Sequence, residues 1–441
     1  MNGAAIDPAP AKGDERSQNR PDPILRVLHL ATVPFRPEEG VSRAVTALAG
    51  AMPAVESHLV ADRPVGSEFS GHHRVKHWRP ERLLSSGALR AIVSEVRPDI
   101  IHLHGGILVS VLALAPALRT TPVVATIYQL LPVPRRELGI KQLFDAHRSS
   151  IRPGRIAASG LFGTPLVRHL LGTGGIEAVC TPDPRVAQAL QGRGPVVIAQ
   201  GGATASHHQA VWSSSPTIGF AGRAEPGRGV EELIEAVGLL RKEIPNAKLR
   251  LMLLPGPAAE RWQSEFRNTA YVQITVGIQA DFRADLAQCQ VIALPFRIPA
   301  TITPPLVASE AMSVGAPVVA NSLSCITPLL TSGVNGMLTR NASADSLADA
   351  LHNVLRDEAT WSKLSQGARR TIETQWSWAG AAIATSDAYA QSITRRLRRV
   401  GIGAGFGAGI GAGLVSAPIA ITVRRSADSA RSAVASPTVP Q

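Results

Sequence analysis

Cysteine and aromatic residues are scarce in this chain of 441 residues. Its three cysteines, Cys180, Cys289 and Cys325, stand far apart, which argues against zinc ribbons and disulfide frameworks and favours a reducing compartment. Aromatic residues make up only 4% of the chain, and no basic run is interleaved with rings on which bases would stack. The composition therefore predicts no nucleic-acid binding. The excess of 45 Lys and Arg over 33 Asp and Glu instead favours smaller anions or acidic lipids.

Several motifs for metals and phosphates are also missing. The sequence contains no GxxxxGK[ST] phosphate loop, no HExxH and no Cys/His ligand spacing. We therefore predict neither a phosphate-loop NTPase nor a metal site.

The pattern of the chain predicts two α/β domains. Residues 1–24 are polar and rich in proline and charge, which is typical of a flexible leader and not of a cleaved signal peptide. Short apolar runs then alternate with helical segments over 25–200 and again over 217–393, which indicates two doubly wound parallel sheets. The nearly patternless stretch 201–216 is interpreted as a linker. Residues 394–441 form a basic, glycine-rich tail.

The tail allows two interpretations. Val400–Val423 carries no charge and shows repeated GxxxG spacing, so residues 400–423 are a candidate membrane segment. Its low content of large aliphatic residues and Pro418 favour a flexible low-complexity tail instead. In either case the arginines within 395–425 predict attraction to an anionic membrane surface. The expected location is cytoplasmic, with the tail as an attachment to the cytoplasmic face of the membrane.

The stretch "GFAGRAEPGRGVEELIEA" (219–236) carries the strongest chemical signal. A strand ends at Gly222-Arg223, a Pro-Gly turn follows, and Arg228 precedes a helix. Arginine binds phosphate oxygens bidentately and helix N-termini favour anions, so this combination suits a diphosphate. Two solvated surface arginines remain the alternative.

A single carboxylate, Glu310, lies in the early turns of a predicted helix in "TITPPLVASEAMSVGAPVV" (301–319). It is predicted to lie at the same sheet edge as the two arginines, where it could accept hydrogen bonds from ribose hydroxyls. Stabilisation of the helix dipole is the alternative.

These segments resemble family 4 glycosyltransferases of the GT-B fold. The resemblance rests on "FAGRAEPGRGVEELIEA", "VIALPF", "SEAMSVGAPVVAN", "SGVNGML" and "ADSLADALHNVLRD", and more loosely on "RPDIIHLHG" and "VIAQGGA" in the first half. It implies two Rossmann-like domains that face a central cleft. No DxD motif occurs, so the metal-bridged diphosphate of the other common glycosyltransferase fold is not supported.

The resemblance also implies roles for individual residues. Arg223 and Arg228 would hold the donor diphosphate and act in catalysis, and Glu310 would bind the ribose. The full set of predicted donor-binding residues is Gly222, Arg223, Arg228, Thr303, Leu306, Val307 and Glu310, of which Thr303, Leu306 and Val307 are candidates through their own hydroxyl or amide groups. On the acceptor side it implies Gly40, His104 and Tyr128.

The sequence departs from the family pattern at several of these positions. Ile302 stands where the first of two paired glutamates is expected, and only the hydroxyls of Thr301 or Thr303 could partly replace it. Pro304 and Pro305 offer no N–H group to a phosphate. Further departures lie at Ser324-Cys325 and Pro328, and Tyr128 replaces a histidine. Of His102 and His104, at most one is expected to face the cleft, and a structural role for His104 is the alternative.

Three hypotheses follow. The first is a metal-independent glycosyltransferase, retaining at the anomeric carbon, that moves a sugar from a nucleotide diphosphate sugar to a saccharide or lipid-linked acceptor, with no further cofactor. The second is a degenerate protein of the same fold that binds nucleotide sugar or glycan without turnover. The third is a membrane-tethered scaffold with a vestigial cleft.

Overall fold

The computed structural model of the chain describes residues 25–62, 67–75, 87–106, 108–129, 163–277, 281–299, 302–341 and 343–400. Within them it contains two parallel sheets, each covered by helices. The predicted α/β class, with two doubly wound domains, is confirmed.

The first domain is built around a seven-stranded sheet. Its strands are β1 (Leu25–Ala31), β2 (Val55–Ala61), β3 (Gly71–Arg74), β4 (Ile100–Gly105), β5 (Val123–Ile127), β6 (Ala178–Thr181) and β7 (Val196–Ile198). Its described helices are α1 (Gly40–Gly50), α2 (Gly87–Val96), α3 (Leu108–Leu112), α4 (Thr164–Thr173) and α5 (Pro184–Leu190), with a 3-10 turn at Pro116–Leu118. The strand order is β3-β2-β1-β4-β5-β6-β7. Helices cover both faces of the parallel sheet, so its central strands are almost continuously apolar.

The second domain repeats this plan with a six-stranded sheet. Its strands are β8 (Thr217–Gly222), β9 (Lys248–Leu253), β10 (Val272–Val276), β11 (Val291–Leu294), β12 (Val318–Asn321) and β13 (Gly336–Thr339). Its helices are α6 (Val230–Leu240), α7 (Pro257–Glu265), α8 (Phe282–Ala287), α9 (Leu306–Ser313), α10 (Ala344–Leu355) and α11 (Glu358–Thr374), with a 3-10 turn at Pro226–Arg228. The order β10-β9-β8-β11-β12-β13 places β8 and β11 side by side in the middle of the sheet. The loops after these two strands therefore meet at its carboxyl edge.

The last described helix, α12 (Trp378–Arg399), returns to the first domain. Its buried Ala382, Ala388 and Tyr389 join an apolar cluster with Leu25 and Val27 of β1. The sequence assigned residues up to 393 to the second domain because the helical pattern continues along the chain. The apolar face of α12 is instead buried on the first sheet.

Arginines from the basic run 395–399 fasten the end of α12. Arg395 donates to the carbonyls of Leu171 and Glu177, and Arg399 donates to the carbonyl of Thr173. The guanidiniums of Arg395, Arg396 and Arg399 also lie 3.7, 3.9 and 4.0 Å from the carboxylate of Glu177, whose side chain is 1% exposed. These three arginines therefore engage the first domain in this structure.

Residues 401–441 lie outside the described part of the chain, so the candidate membrane segment is described only at Val400. Among the residues that the structure does describe, none of the helices has the length and apolarity needed to span a bilayer.

Candidate functional site

The two predicted diphosphate arginines lie at the carboxyl edge of the second sheet. β8 ends at Gly222 in a positive-φ conformation (φ +143°), and Arg223 follows directly. The turn Pro226–Arg228 then leads into Gly229 (φ +71°) and α6. A Cβ at Gly229 would lie 2.1 Å from the carbonyl oxygen of Pro295, so only glycine fits between the β8 and β11 loops.

Arg228 is packed into the site. Its guanidinium carbon lies 4.7 Å from the ring centroid of Phe296, which follows β11. Burial lowers the pKa of Arg228, and the charges of Glu225, Arg223 and Glu39 act on it as well. Arg228 therefore lies close enough to Arg223, Glu225 and Glu39 for their charges to influence its protonation.

Helix α9 carries the remaining second-domain candidates. It begins after Pro305, so the amides of Leu306 and Val307 lie in its first turn, where N–H groups have no partner within the helix. Glu310 lies one turn further on and is only 7% exposed. Its Oε1 accepts a hydrogen bond from Arg43, whereas its Oε2 has no hydrogen-bond partner among the described residues.

Two charged residues of the first domain reach across to this site. Glu39, the residue before α1, pairs with Arg223 at 2.7 Å between Oε1 and the guanidinium nitrogen. Arg43, one turn further along α1, pairs with Glu310. Neither residue was predicted from the sequence. The only available signal was their position around Gly40, in "PEEGVSRAV".

A cavity of about 640 Å³ lies between the domains beside these pairs. Arg43 and Thr46 line it from α1, Glu310 and Leu306 line it from α9, and Arg283 lines it from α8. Arg283 is close enough to Arg43 to contribute, after burial, to lowering the pKa of that guanidinium. Of the two ion pairs, the cavity is therefore lined by Arg43 and Glu310.

Ile302 and Thr303 make apolar and backbone contacts with the first domain. Ile302 packs against the apolar cluster around α1, and its Cδ1 lies 3.2 Å from where a Cβ of Gly40 would be. The backbone N–H of Thr303 donates to the carbonyl of Tyr128 at 3.1 Å, while its buried Oγ1 has no partner among the described residues. Thr301 lies outside the described residues. Gly40 therefore meets the side chain that replaces the expected glutamate.

The histidines of β4 are not on the cleft surface. His102 and His104 are both fully buried, and both point to the face of the sheet that α12 covers. The expectation that at most one of them faces the cleft rested on a wrong periodicity, because residues two apart in a strand share a face. The structure therefore favours the structural role for His104.

A row of hydrogen bonds connects these rings within the domain. The distance between His29 Nδ1 and His104 Nε2 is 3.0 Å, and His102 lies 2.7 Å from both the Tyr389 hydroxyl and the Thr126 hydroxyl. The Tyr128 hydroxyl lies at 3.4 Å from His104 Nδ1. Burial lowers the pKa of His29 to about 3 and raises the pKa of Tyr128, so neither is suited to gain or lose a proton at neutral pH.

One nitrogen from each of His29, His102 and His104 lies within 4.8 Å of the others, a grouping that could hold a metal ion. Hydrogen bonds already join His29 to His104 and engage both nitrogens of His102. The prediction that the chain has no metal site stays a prediction.

The second-domain residues of the site lie in the part of the chain that matches a known family. Residues 215–357 match the profile of the family described as "Glycosyl transferases group 1". Over these residues the second domain is similar to group 1 glycosyltransferases. This match confirms the resemblance that the motifs around Arg223 and Glu310 indicated.

Curated relatives agree with this group 1 assignment over a comparable length. The D-inositol 3-phosphate glycosyltransferase of Xylanimonas cellulosilytica is 31% identical over 194 residues, which cover 42% of this chain and 44% of that relative. The protein of the same name from Corynebacterium efficiens is 29% identical over 185 residues, covering 40% and 43%. The chain thus spans less than half the length of the curated relatives it matches.

Solved structures match nearly the whole fold. The sucrose-phosphate synthase of Thermosynechococcus elongatus has a TM-score of 0.63 at 16% identity and covers 85% of this chain and 99% of its own. Anabaena HepE, solved with UDP and glucose, has a TM-score of 0.60 at 15% identity and covers 82% and 98%. These likenesses confirm the predicted GT-B arrangement of the group 1 domain and its partner domain.

Proposed function

We propose that the chain is a glycosyltransferase that moves a sugar from a nucleotide diphosphate sugar to a saccharide or lipid-linked acceptor. The reaction is metal-independent and retains the configuration at the anomeric carbon. The observation that carries this proposal is that Arg223 and Glu310 both pair across the domain boundary with one turn of the first domain, through Glu39 and Arg43.

The second domain supplies what a nucleotide diphosphate requires. Two guanidiniums, Arg223 and Arg228, offer planar, permanently charged donors for phosphate oxygens, and the Leu306 and Val307 amides add donors at a helix N-terminus. As the glycosidic bond breaks, these groups would stabilise the charge that builds up on the leaving diphosphate. Glu310, with one oxygen lacking a partner, would accept a ribose hydroxyl.

The first domain would supply the acceptor side. The backbone of Gly40 meets the side chain of Ile302 from the second domain, and the carbonyl of Tyr128 accepts a hydrogen bond from the backbone N–H of Thr303. The buried His104 would contribute indirectly, through its contact with the Tyr128 hydroxyl. A lipid-linked acceptor would bring the enzyme to an anionic membrane, with residues 401–425, outside the described part of the chain, as the contact.

The first test is calorimetric titration of the full chain with uridine, adenosine and guanosine diphosphates and their sugars. Arg228→Ala is expected to lose at least about tenfold in affinity, because charge-assisted hydrogen bonds contribute about 1.5–3 kcal/mol. Arg261→Ala, an exposed arginine on α7 of the same domain, is the matched control and should bind as the wild type does. Absence of binding by folded wild-type protein would overturn the proposal and favour the scaffold hypothesis.

A binding protein without turnover is the second candidate function. Ile302 favours it, since an apolar side chain in contact with Gly40 stands where the resemblance expects a carboxylate. The two candidates differ in one measurement, the acceptor-dependent release of nucleotide diphosphate. The acceptor screen should include D-inositol 3-phosphate, which the curated relatives' name specifies. Nucleotide binding without release for any acceptor would favour the second candidate.

A further inference from the structure

One helical turn of the first domain engages two of the proposed donor-binding residues. Glu39 pairs with Arg223 and Arg43 pairs with Glu310, and the backbone N–H of Arg43 donates to the carbonyl of Glu39 at 3.0 Å. The two side chains are therefore four residues apart at the start of α1. Each of them contacts a different end of the proposed nucleotide site.

These contacts are only partly shielded from solvent. The side chains of Arg223 and Glu39 are 34% and 38% exposed, and those of Arg43 and Glu310 are 33% and 10% exposed. Arg43 and Glu310 also line the cavity between the domains. A ligand that enters the cavity can thus reach the more deeply buried pair from its open side.

The two first-domain side chains are chemically similar to the ligand groups that would replace them. A carboxylate on Arg223 is an anionic acceptor, as a phosphate oxygen is. The guanidinium of Arg43 donates a hydrogen bond to Glu310 through N–H, and a ribose hydroxyl would donate to the same carboxylate through O–H. Glu39 therefore stands in for a diphosphate, and Arg43 for a ribose.

We propose that Glu39 and Arg43 form a gate that a nucleotide diphosphate opens by displacing both side chains. This inference rests on the proposed function, because it takes the donor nucleotide as the ligand. The gate is the pair of residues Glu39 and Arg43 only. It makes the affinity for nucleotide lower than Arg223 and Glu310 alone would provide.

The displaced side chains have an alternative partner in one another. Glu and Arg four residues apart on a helix, with the acid nearer the N-terminus, form the favourable orientation of an intrahelical ion pair. Glu39 directly precedes α1 and makes no side-chain cap, so its carboxylate also suits the positive end of that helix. The opened gate therefore keeps both charges paired near their original positions.

The contacts between the two domains should persist when the side chains of Glu39 and Arg43 are replaced. Ile302 against Gly40 and the hydrogen bond from Thr303 to the Tyr128 carbonyl join the domains without either ion pair. α12 joins them a second time through its apolar cluster on the first sheet. The variants used to test the gate can therefore be expected to fold.

The test compares full-chain wild type with Glu39→Gln and Arg43→Met in calorimetric titrations against UDP, inorganic pyrophosphate and uridine. Glu39→Gln should bind UDP and pyrophosphate about fivefold more tightly, with uridine unchanged, because a partly exposed ion pair contributes up to about 1 kcal/mol. Arg43→Met should chiefly raise the affinity for uridine. Glu95→Gln and Arg90→Met, which change exposed residues of α2 away from the cavity lining, are the matched controls.

The outcomes separate the gate from the proposed function. If UDP binds to wild type and to Glu39→Gln with equal affinity, the gate is overturned and the proposed function stands. If no form binds UDP although all of them are folded, the proposed function fails, and the gate, which takes that nucleotide as its ligand, fails with it.

Discussion

The two sheets carry polar side chains at the carboxyl ends of central strands, but the two domains use them differently. In the first domain, His102 and His104 of β4 are fully buried and hydrogen-bonded within the domain. In the second, Arg223 after β8 is one-third exposed and its partner belongs to the other domain. Position at the carboxyl edge is therefore not enough to place a residue in a site. A residue at the carboxyl edge is available to a ligand only if no helix covers its face of the sheet, and α12 covers the face that carries the two histidines.

The largest expected effect is a loss of stability on replacing a buried histidine of the first domain, compared with replacing an arginine at the edge of the second sheet. His102→Leu should lower the free energy of unfolding by about 3 kcal/mol, because the Tyr389 and Thr126 hydroxyls would be left buried without their partner. Urea denaturation measures it. Arg223→Leu should change the free energy of unfolding by less than about 0.5 kcal/mol while weakening nucleotide binding. Equal losses of stability in both variants would contradict the comparison.

The next prediction concerns pH. Burial holds the pKa of His29 at about 3 and the pKa values of His102 and His104 well below their ordinary value. In the unfolded chain these rings take up protons near pH 6.5, so stability is full above that pH and is lost as the pH falls below it. The slope is up to about 1.4 kcal/mol per pH unit for each ring.

His29→Gln should reduce that slope by about one ring's share between pH 6 and pH 4, measured by urea denaturation at each pH. His169→Gln, on the exposed side of α4, is the matched control. If the dependence of the free energy of unfolding on pH is the same in His29→Gln as in wild type, the pKa of His29 is not lowered by folding.

A smaller effect is expected where the two domains are joined by α12. Glu177→Gln should lower the free energy of unfolding by about 1–2 kcal/mol, because Arg395, Arg396 and Arg399 would lose the carboxylate that offsets their mutual repulsion. Hydrogen exchange should show faster opening of the end of α12 in this variant. Glu95→Gln, whose side chain is 72% exposed, should leave both measurements at the wild-type value.

The smallest effect is expected at Tyr128. Tyr128→Phe should change nucleotide affinity and stability by less than about 0.5 kcal/mol, since only a 3.4 Å contact with His104 is lost and the carbonyl that binds Thr303 remains. Calorimetry and urea denaturation measure the two quantities. A large loss of acceptor-dependent turnover with unchanged nucleotide affinity would instead give the hydroxyl a role in the reaction.

Much of the fold was predictable because strand and helix periodicity is local. The strand predicted to end at Gly222-Arg223 is β8 (Thr217–Gly222), and the helix predicted after Arg228 is α6 (Val230–Leu240). β3 (Gly71–Arg74) was not predicted, because its "GHHR" is short, polar and at the edge of the sheet, where no apolar run is required. The short run "GRIAAS" (154–159), whose pattern also predicts a strand, lies outside the described residues.

Local patterns in the sequence were sufficient to predict which second-domain residues lie at the carboxyl edge of the sheet. Arg223 and Arg228 come directly after β8, and Glu310 lies in α9, the helix that follows β11, the neighbour of β8 in the parallel sheet. The tertiary structure was needed to show which side chains of the first domain face them and that α12 returns to the first sheet. Glu39 and Arg223 are far apart in the chain, and their meeting depends on how two separately folded domains pack. Local hydrophobic periodicity carries no information about that packing.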